Sequence, residues 1–293
     1  MSIRKTYNKP ALSLNQQIEL LISRGLVIPD KEKAEHHLKF IGYYRLSGYM
    51  APFYASKNSF KPEANFEQIL DLYNFDRILR LITFDAIEII EVAMRTVLTD
   101  TLSLKFNPHW FTDKNFFEVT EKHELTIDII KKSTIESNIT LRDNFISHYY
   151  QFYADPKLPP SWMTLETLSI GTLSVIFKSL KRDLRKLIAT QLKLDETILS
   201  SWLHSLTYTR NLVAHHSRVW NRKFTIKPKT LKRHKNFLHT DSYFFAQYIL
   251  ISYMLKIIAP NYDWKQKFIT LFREYPSVSL NQMGFTNNWQ NAI

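Results

Sequence analysis

Five glycines in 293 residues is the feature that most narrows what this chain can fold into. Ordinary proteins use glycine at ~7%. Tight hairpin turns depend on it, because their central residues take positive φ. A sheet-rich fold of this length would need many more. Long runs of Leu, Ile, Lys and Glu with few breakers point instead to an all-α protein.

The longest periodic run is FEQILDLYNFDRILRLITFDAIEIIEVAMRTVLTDTLSL (66–104). Leu70, Tyr73, Ile78, Leu81, Ile82, Ile89, Val92 and Val97 recur at helical spacing, as one long helix or two joined ones. Glu88, Glu91 and Arg95 share one side at spacings of three and four, where ion pairs form. Ahead of this run, Ser13 and Gln16 make a capping box before a short amphipathic helix, and Pro29–Asp30 opens a second. GYYRLSGYMAPFY (42–54) reads as an aromatic bend packed on the core, and 55–65 as a polar loop. Beyond 105, helices are expected at 120–137 and 142–153, then a break at ADPKLPP. A buried helix bent near Gly171 should follow Pro160. Two further helices come next, the second capped by Asp195 and running through Trp220. Residues 221–236 read as a basic loop, 241–259 and 263–274 as helices. The expected organisation is an N-terminal helical region (1–64), a helical core (65–275) and an irregular tail (276–293).

The absence of cysteine excludes disulfides, iron–sulfur clusters, thiolate zinc sites and cysteine nucleophiles. It fits a reducing, cytoplasmic setting. The first residues lack the apolar core of a signal peptide. The most apolar stretch, 243–259, is interrupted by Gln247, Ser252 and Lys256 and falls short of the ~20 apolar residues a bilayer requires. It reads as a buried helix, and no membrane association is expected.

Charge is unevenly placed. Between Lys178 and Thr240 stand fifteen Lys/Arg and only Asp183, Asp195 and Glu196, an excess equal to the whole chain's net charge of +12. A concentrated excess suits a polyanion such as nucleic acid; a solvated basic face is the equal alternative. Lys181, Arg182, Arg185, Lys186, Arg222 and Lys223 are the candidate phosphate contacts within it.

The densest chemistry lies in RNLVAHHSRVWNR (210–222). On a continuous helix Asn211, His215, Arg218 and Arg222 form one polar stripe, with Arg210 about 140° around from His215. A guanidinium grips phosphate, and an imidazole exchanges protons near neutral pH. RNA supplies its own nucleophile in the 2′-hydroxyl, so Arg, His and a polar orienter suffice for cleavage without metal. Satisfied histidines on a solvated face are the competing reading. A zinc site fits poorly, because adjacent histidines point ~100° apart and no carboxylate stands at ligand spacing. Trp162 and Trp220, and the aromatic stretch Tyr43–Tyr49, suit core packing better than base stacking.

R-N-L-V-A-H resembles the R-x(4–6)-H element of HEPN-superfamily ribonucleases, and RNLVAHHSRVWNR is similar to the C-terminal signature of the Abi family of AbiD/AbiF-type abortive-infection proteins. YNKPALSLNQQIELLISRGLVI, FIGYYRLSGYMAPF, FDRILRLITFDAIEIIEVAMRT, LPPSWMTLETLSIGTLS and MGFTNNW resemble other segments of that family, over nearly the whole chain. The resemblance implies a HEPN-like helical bundle with an additional N-terminal region. It also implies a metal-independent, cofactor-free endoribonuclease toxin in phage defence, held in check by a partner such as a small RNA. Arg210, Asn211 and His215 would be catalytic, as phosphate clamp, orienter and general acid/base. His216, Arg218 and Asn221 would support them, with packing for His216 and backbone binding for Arg218 as alternatives. Glu166 would orient Arg210, or else cap a helix or form an ion pair. Such sites form where two motifs meet; Arg95 is present on the central helix but Asp100 stands where a second histidine is expected, so a homodimer is implied. Non-catalytic RNA binding and interaction with a protein are the remaining alternatives.

Overall fold

Ser13 and Gln16 close the capping box that opens the first helix: Ser13 Oγ accepts from the Gln16 N–H at 3.3 Å, and Gln16 Oε1 from the Ser13 N–H at 2.9 Å. This computed structural model describes residues 6–238 and 240–292. The helices are α1 (Leu14–Ser23), α2 (Lys31–Phe40), α3 (Tyr43–Met50), α4 (Phe66–Lys105), α5 (Thr120–Ser133) and α6 (Asn144–Phe152). They continue with α7 (Ser161–Thr164), α8 (Ile170–Ser179), α9 (Arg182–Gln191), α10 (Glu196–Ala214), α11 (Phe244–Ile258) and α12 (Trp264–Glu274). The only sheet among the described residues pairs β1 (Tyr54–Ser56) with β2 (Ser59–Phe60). The protein is predominantly all-α, as glycine scarcity predicts.

Two compact units divide the chain: residues up to Ile78 with Leu271–Val278, and Leu79–Thr270 with the residues from Ser279 onward. In the first, Asp30 caps α2 by accepting from the Lys33 N–H at 2.9 Å. The 42–54 stretch is not the expected bend. Gly42 takes φ 91 and starts α3, which buries Leu46, Tyr49 and Met50 while leaving Tyr44 exposed. The buried Tyr49 hydroxyl donates to Asp76 at 2.7 Å. The expected polar loop at 55–65 contains the small hairpin instead.

The second unit is centred on α11, whose residues Phe244–Leu255 are all buried. α10 packs against α8, α9 and α11. The 280s are irregular but not loose: Phe285 and Trp289 are buried, Phe285 stacks on Phe268, and Trp289 meets Tyr248 edge-on. Two helix predictions need correction. The segment after Pro160 is not one bent helix. It breaks between α7 and α8, because Ser169 caps α8 by accepting from the Thr172 N–H at 3.4 Å. The helix capped by Asp195 does not run through Trp220 but stops at Ala214.

Candidate functional site

α10 starts where the sequence predicts: Asp195 Oδ1 accepts from the Thr197 N–H at 2.8 Å. Its end shapes the candidate site. The His216 N–H bonds to the Val213 carbonyl at 3.1 Å, and the Ser217 N–H reaches back to the Leu212 carbonyl at 2.9 Å. This pair of bonds is the Schellman stop, which calls for a left-handed residue, usually glycine. Here His216 fills that position at φ 56. His215 is therefore the C-cap of α10, and its side chain is exposed. The polar stripe expected on a continuous helix ends there. Arg218, Asn221 and Arg222 lie beyond it outside any helix, with Asn221 at φ 47 and the Arg222 Nε donating to the Arg218 carbonyl at 2.6 Å.

Arg210 points from the last turn of α10 over the Phe84 ring, with its guanidinium carbon 5.9 Å from the ring centre. There it lines a cleft of about 160 Å³ together with Phe84, Glu88, Glu91, Val92 and Arg95 of α4. The lining does not include Asn211 or His215. The structure thus brings Arg210 to Arg95 and leaves Asn211 and His215 on the surface at the helix end.

Most charged groups nearby are already engaged. Arg95 Nη2 donates to Glu91 Oε1 at 2.5 Å, the ion pair that the α4 spacing anticipated. Arg95 Nε and Nη2 also donate to the Leu168 carbonyl at 3.2 and 3.0 Å. Glu91 Oε1 additionally accepts from the Ile170 N–H at 3.2 Å. Glu166 stands 4.0 Å from Arg95 Nη1, so its ionic partner is Arg95 rather than Arg210. By contrast, Arg210, Asn211 and His215 have no side-chain hydrogen bond or ion pair among the described residues.

The candidate phosphate contacts divide in the same way. Arg182 Nε donates to the buried Glu196 at 2.6 Å. Arg185, only 16% exposed, donates to Glu118 at 2.5 Å and to the Lys178 and Leu180 carbonyls. That Arg185 hydrogen bond is the first cause holding the Glu118 carboxyl below its ordinary value. Lys181, Lys186 and Lys223 are exposed. Trp220 is buried as expected, whereas Trp162 is 48% exposed and not core. Among the described residues no group of three or more His, Asp or Glu is placed to hold a metal ion. No described helix is long and apolar enough to cross a membrane. Phe84 and Val92 line the cleft, yet nothing in the sequence marks them as site residues beyond a place on the helix that carries Glu88, Glu91 and Arg95.

Fold and site define a predominantly helical protein with an arginine-lined cleft beside an Arg-Asn-x-x-x-His helix end. The sequence model of the Abi-like protein family matches residues 36–221, most of the chain, and the chain belongs to that family. Membership associates it with abortive infection and phage defence. Comparison with curated proteins and with solved structures gives no match.

Proposed function

We propose that this protein is a metal-independent endoribonuclease toxin of HEPN type, acting on RNA in abortive infection. The observation that carries the reading is selective: among the described residues Arg95 and Glu91 are engaged, whereas the side chains of Arg210, Asn211 and His215 have no hydrogen-bond or ionic partner. Three unengaged polar groups of these types at one helix end suit a phosphodiester.

In this reading the RNA 2′-oxygen attacks the adjacent phosphorus, and the bond from phosphorus to the 5′-oxygen breaks. One proton leaves the 2′-hydroxyl and one reaches the departing 5′-oxygen, and His215 serves as general acid/base. Arg210 holds the non-bridging oxygens through its guanidinium fork, and Asn211 orients the phosphate or His215. Because His215 lies outside the Arg210 cleft of its own chain, a homodimer that sets two helix ends together completes the site. His216, Arg218, Asn221 and Glu166 support it; Lys181, Lys186, Arg222 and Lys223, with Arg182 and Arg185 where their internal pairs allow, contact backbone phosphates. A small inhibitory RNA would occupy the same surface.

The position of His215 outside the cleft also favours a second reading, in which the protein binds RNA without cutting it. One experiment separates the two. Wild type and His215→Ala are incubated with total RNA and with tRNA in EDTA, and cut ends are mapped. The expected result is cleavage by wild type alone, leaving 2′,3′-cyclic phosphate or 3′-phosphate ends. Activity surviving in His215→Ala would sink the catalytic reading. RNA binding without products in either protein would favour the second.

A further inference from the structure

A separate pocket of about 630 Å³ lies in the same unit, where the end of α9, the 232–237 turn, α11 and the last described residues meet. That volume suits a small organic ligand. Lys193, Arg233 and Lys256 line it, and among the described residues no carboxylate side chain does. Another groove, of about 570 Å³, mixes its cations with Glu118 and Glu196 and lacks this one-sided charge. Phe237 offers a half-buried ring and Asn291 an exposed amide. Arg233 is held in place over the Tyr253 ring at 4.8 Å.

Two further details describe how the pocket is built. The first is His234, which is 5% exposed and lines the pocket. Arg233 Nε, which can only donate, bonds to His234 Nε2 at 3.2 Å. Nε2 must therefore accept, and the proton sits on Nδ1. Burial, then the Arg233 charge, hold this imidazole below its ordinary pKa and so neutral. The Nδ1–H is buried and has no acceptor among the described residues. His234 also borders a void of about 10 Å³. That void holds one water at most.

The second is Lys193. α9 closes with the same Schellman stop as α10: Lys193 N–H to the Thr190 carbonyl at 3.0 Å, Leu194 N–H to the Ala189 carbonyl at 3.1 Å. Its left-handed position is again not glycine but lysine, at φ 53. α1 makes the identical turn with Gly25 at φ 87. A lysine at a position that favours glycine places an ammonium at the pocket rim against backbone preference.

We infer that this pocket binds a nucleoside 5′-phosphate, with Lys193, Arg233 and Lys256 on the phosphate, Phe237 against the base and Asn291 at its edge. Cations without a carboxylate select the anion, and a ring beside an amide selects a base over a bare phosphate. The ligand is either a free nucleotide or the 5′-phosphorylated end of an RNA. Lys193 and His215 bracket α10, whose 19 residues place them roughly 27 Å apart. The pocket is therefore distinct from the Arg210 cleft and does not depend on cleavage.

The test is calorimetric titration of the full-length protein with AMP, GMP, CMP and UMP, against adenosine and inorganic phosphate. At least one nucleotide should bind ten-fold or more tighter than either half alone. Lys193→Gly should raise the thermal midpoint, since glycine suits the turn, yet weaken that nucleotide ten-fold or more. Lys256→Glu should weaken it likewise, and His215→Ala should bind it as wild type does. Should free nucleotides fail while 5′-phosphorylated AAA binds and its 5′-hydroxyl counterpart does not, the occupant is an RNA end. Nucleotides no tighter than phosphate with no preference for the phosphorylated trinucleotide, or unchanged binding in both lysine variants, would overturn the inference.

Discussion

At the scale of single residues, commitment separates the arginines. Arg95 and Arg185 are bound to carboxylates and carbonyls, whereas Arg210 lies over the face of Phe84 with no side-chain hydrogen bond or ion pair among the described residues. Lysine would keep the charge but not the paired N–H groups that match two phosphate oxygens. Arg210→Lys should therefore lower RNA cleavage about 100-fold, ~2.7 kcal/mol in the barrier. Its thermal midpoint should stay within a degree or two of wild type, because no ion pair is lost. Cleavage rates beside a melting curve check this, and full activity in the lysine variant would show that charge alone suffices. His216 and Lys193 make a second point at this scale. Each occupies a left-handed helix stop where glycine is the usual choice, so the sequence carries no visible stop signal there.

Among the elements, α4 and α8 are joined by a latch that the sequence half discloses. Glu91 and Arg95 are legible as an i, i+4 pair on α4. Their second task is not: Arg95 binds the carbonyl of Leu168, 73 residues away, and Glu91 accepts the N–H of Ile170 at the start of α8. First-turn N–H groups have no partner within their own helix, and a carboxylate there also meets the positive end of the helix dipole. Both side chains are largely buried, at 15% and 12% exposure. Glu91→Ala should remove the close ion pair of Arg95, leaving it the Leu168 carbonyl, and leave the Ile170 N–H without its acceptor, destabilising the protein by about 2–4 kcal/mol. Denaturant unfolding measures it; a loss below about 0.5 kcal/mol would mean that water replaces the carboxylate at no cost.

Across the whole molecule, the basic excess of 178–240 is partly neutralised from outside that segment. Glu118 engages Arg185, and Asp241 engages Lys227 at 2.9 Å. Titration then governs stability in two stages. Burial holds His109 and His234 below the ordinary histidine value of 6.5, and the less deeply buried His37 shifts the same way. Above that value both folded and unfolded imidazoles are neutral, so stability is flat. Below it the unfolded chain binds protons that the folded chain refuses, and stability falls with pH. The second stage comes from Glu118, lowered chiefly by its Arg185 hydrogen bond, and from Asp85. Burial raises Asp85, but hydrogen bonds from Lys267 and Tyr262 outweigh it. These carboxylates stabilise the fold above their ordinary range and lose that contribution as pH falls through their depressed values. Thermal midpoints should thus be level near pH ~7–8, decline below about 6.5 and drop more steeply below about 4.5. A midpoint that rises as pH is lowered from about 7 to about 5.5 would contradict this.

What the sequence determined by itself was whatever is fixed within a few residues. Glycine scarcity set the helical class, the Ser13–Gln16 box and the Asp30 and Asp195 caps set helix starts, and the run from Phe66 set α4, because propensity, capping and periodicity act over one or two turns. Tertiary structure decided the rest. It ended α10 at a histidine, turned the Tyr43 region from a bend into a helix, and engaged Arg185 with Glu118, 67 residues away. It also left Arg210 without an ion pair among the described residues, in a cleft whose other residues all come from α4. Which arginine stays free depends on which carboxylates folding brings within ion-pair distance, and that distance is set by packing between helices far apart in the chain.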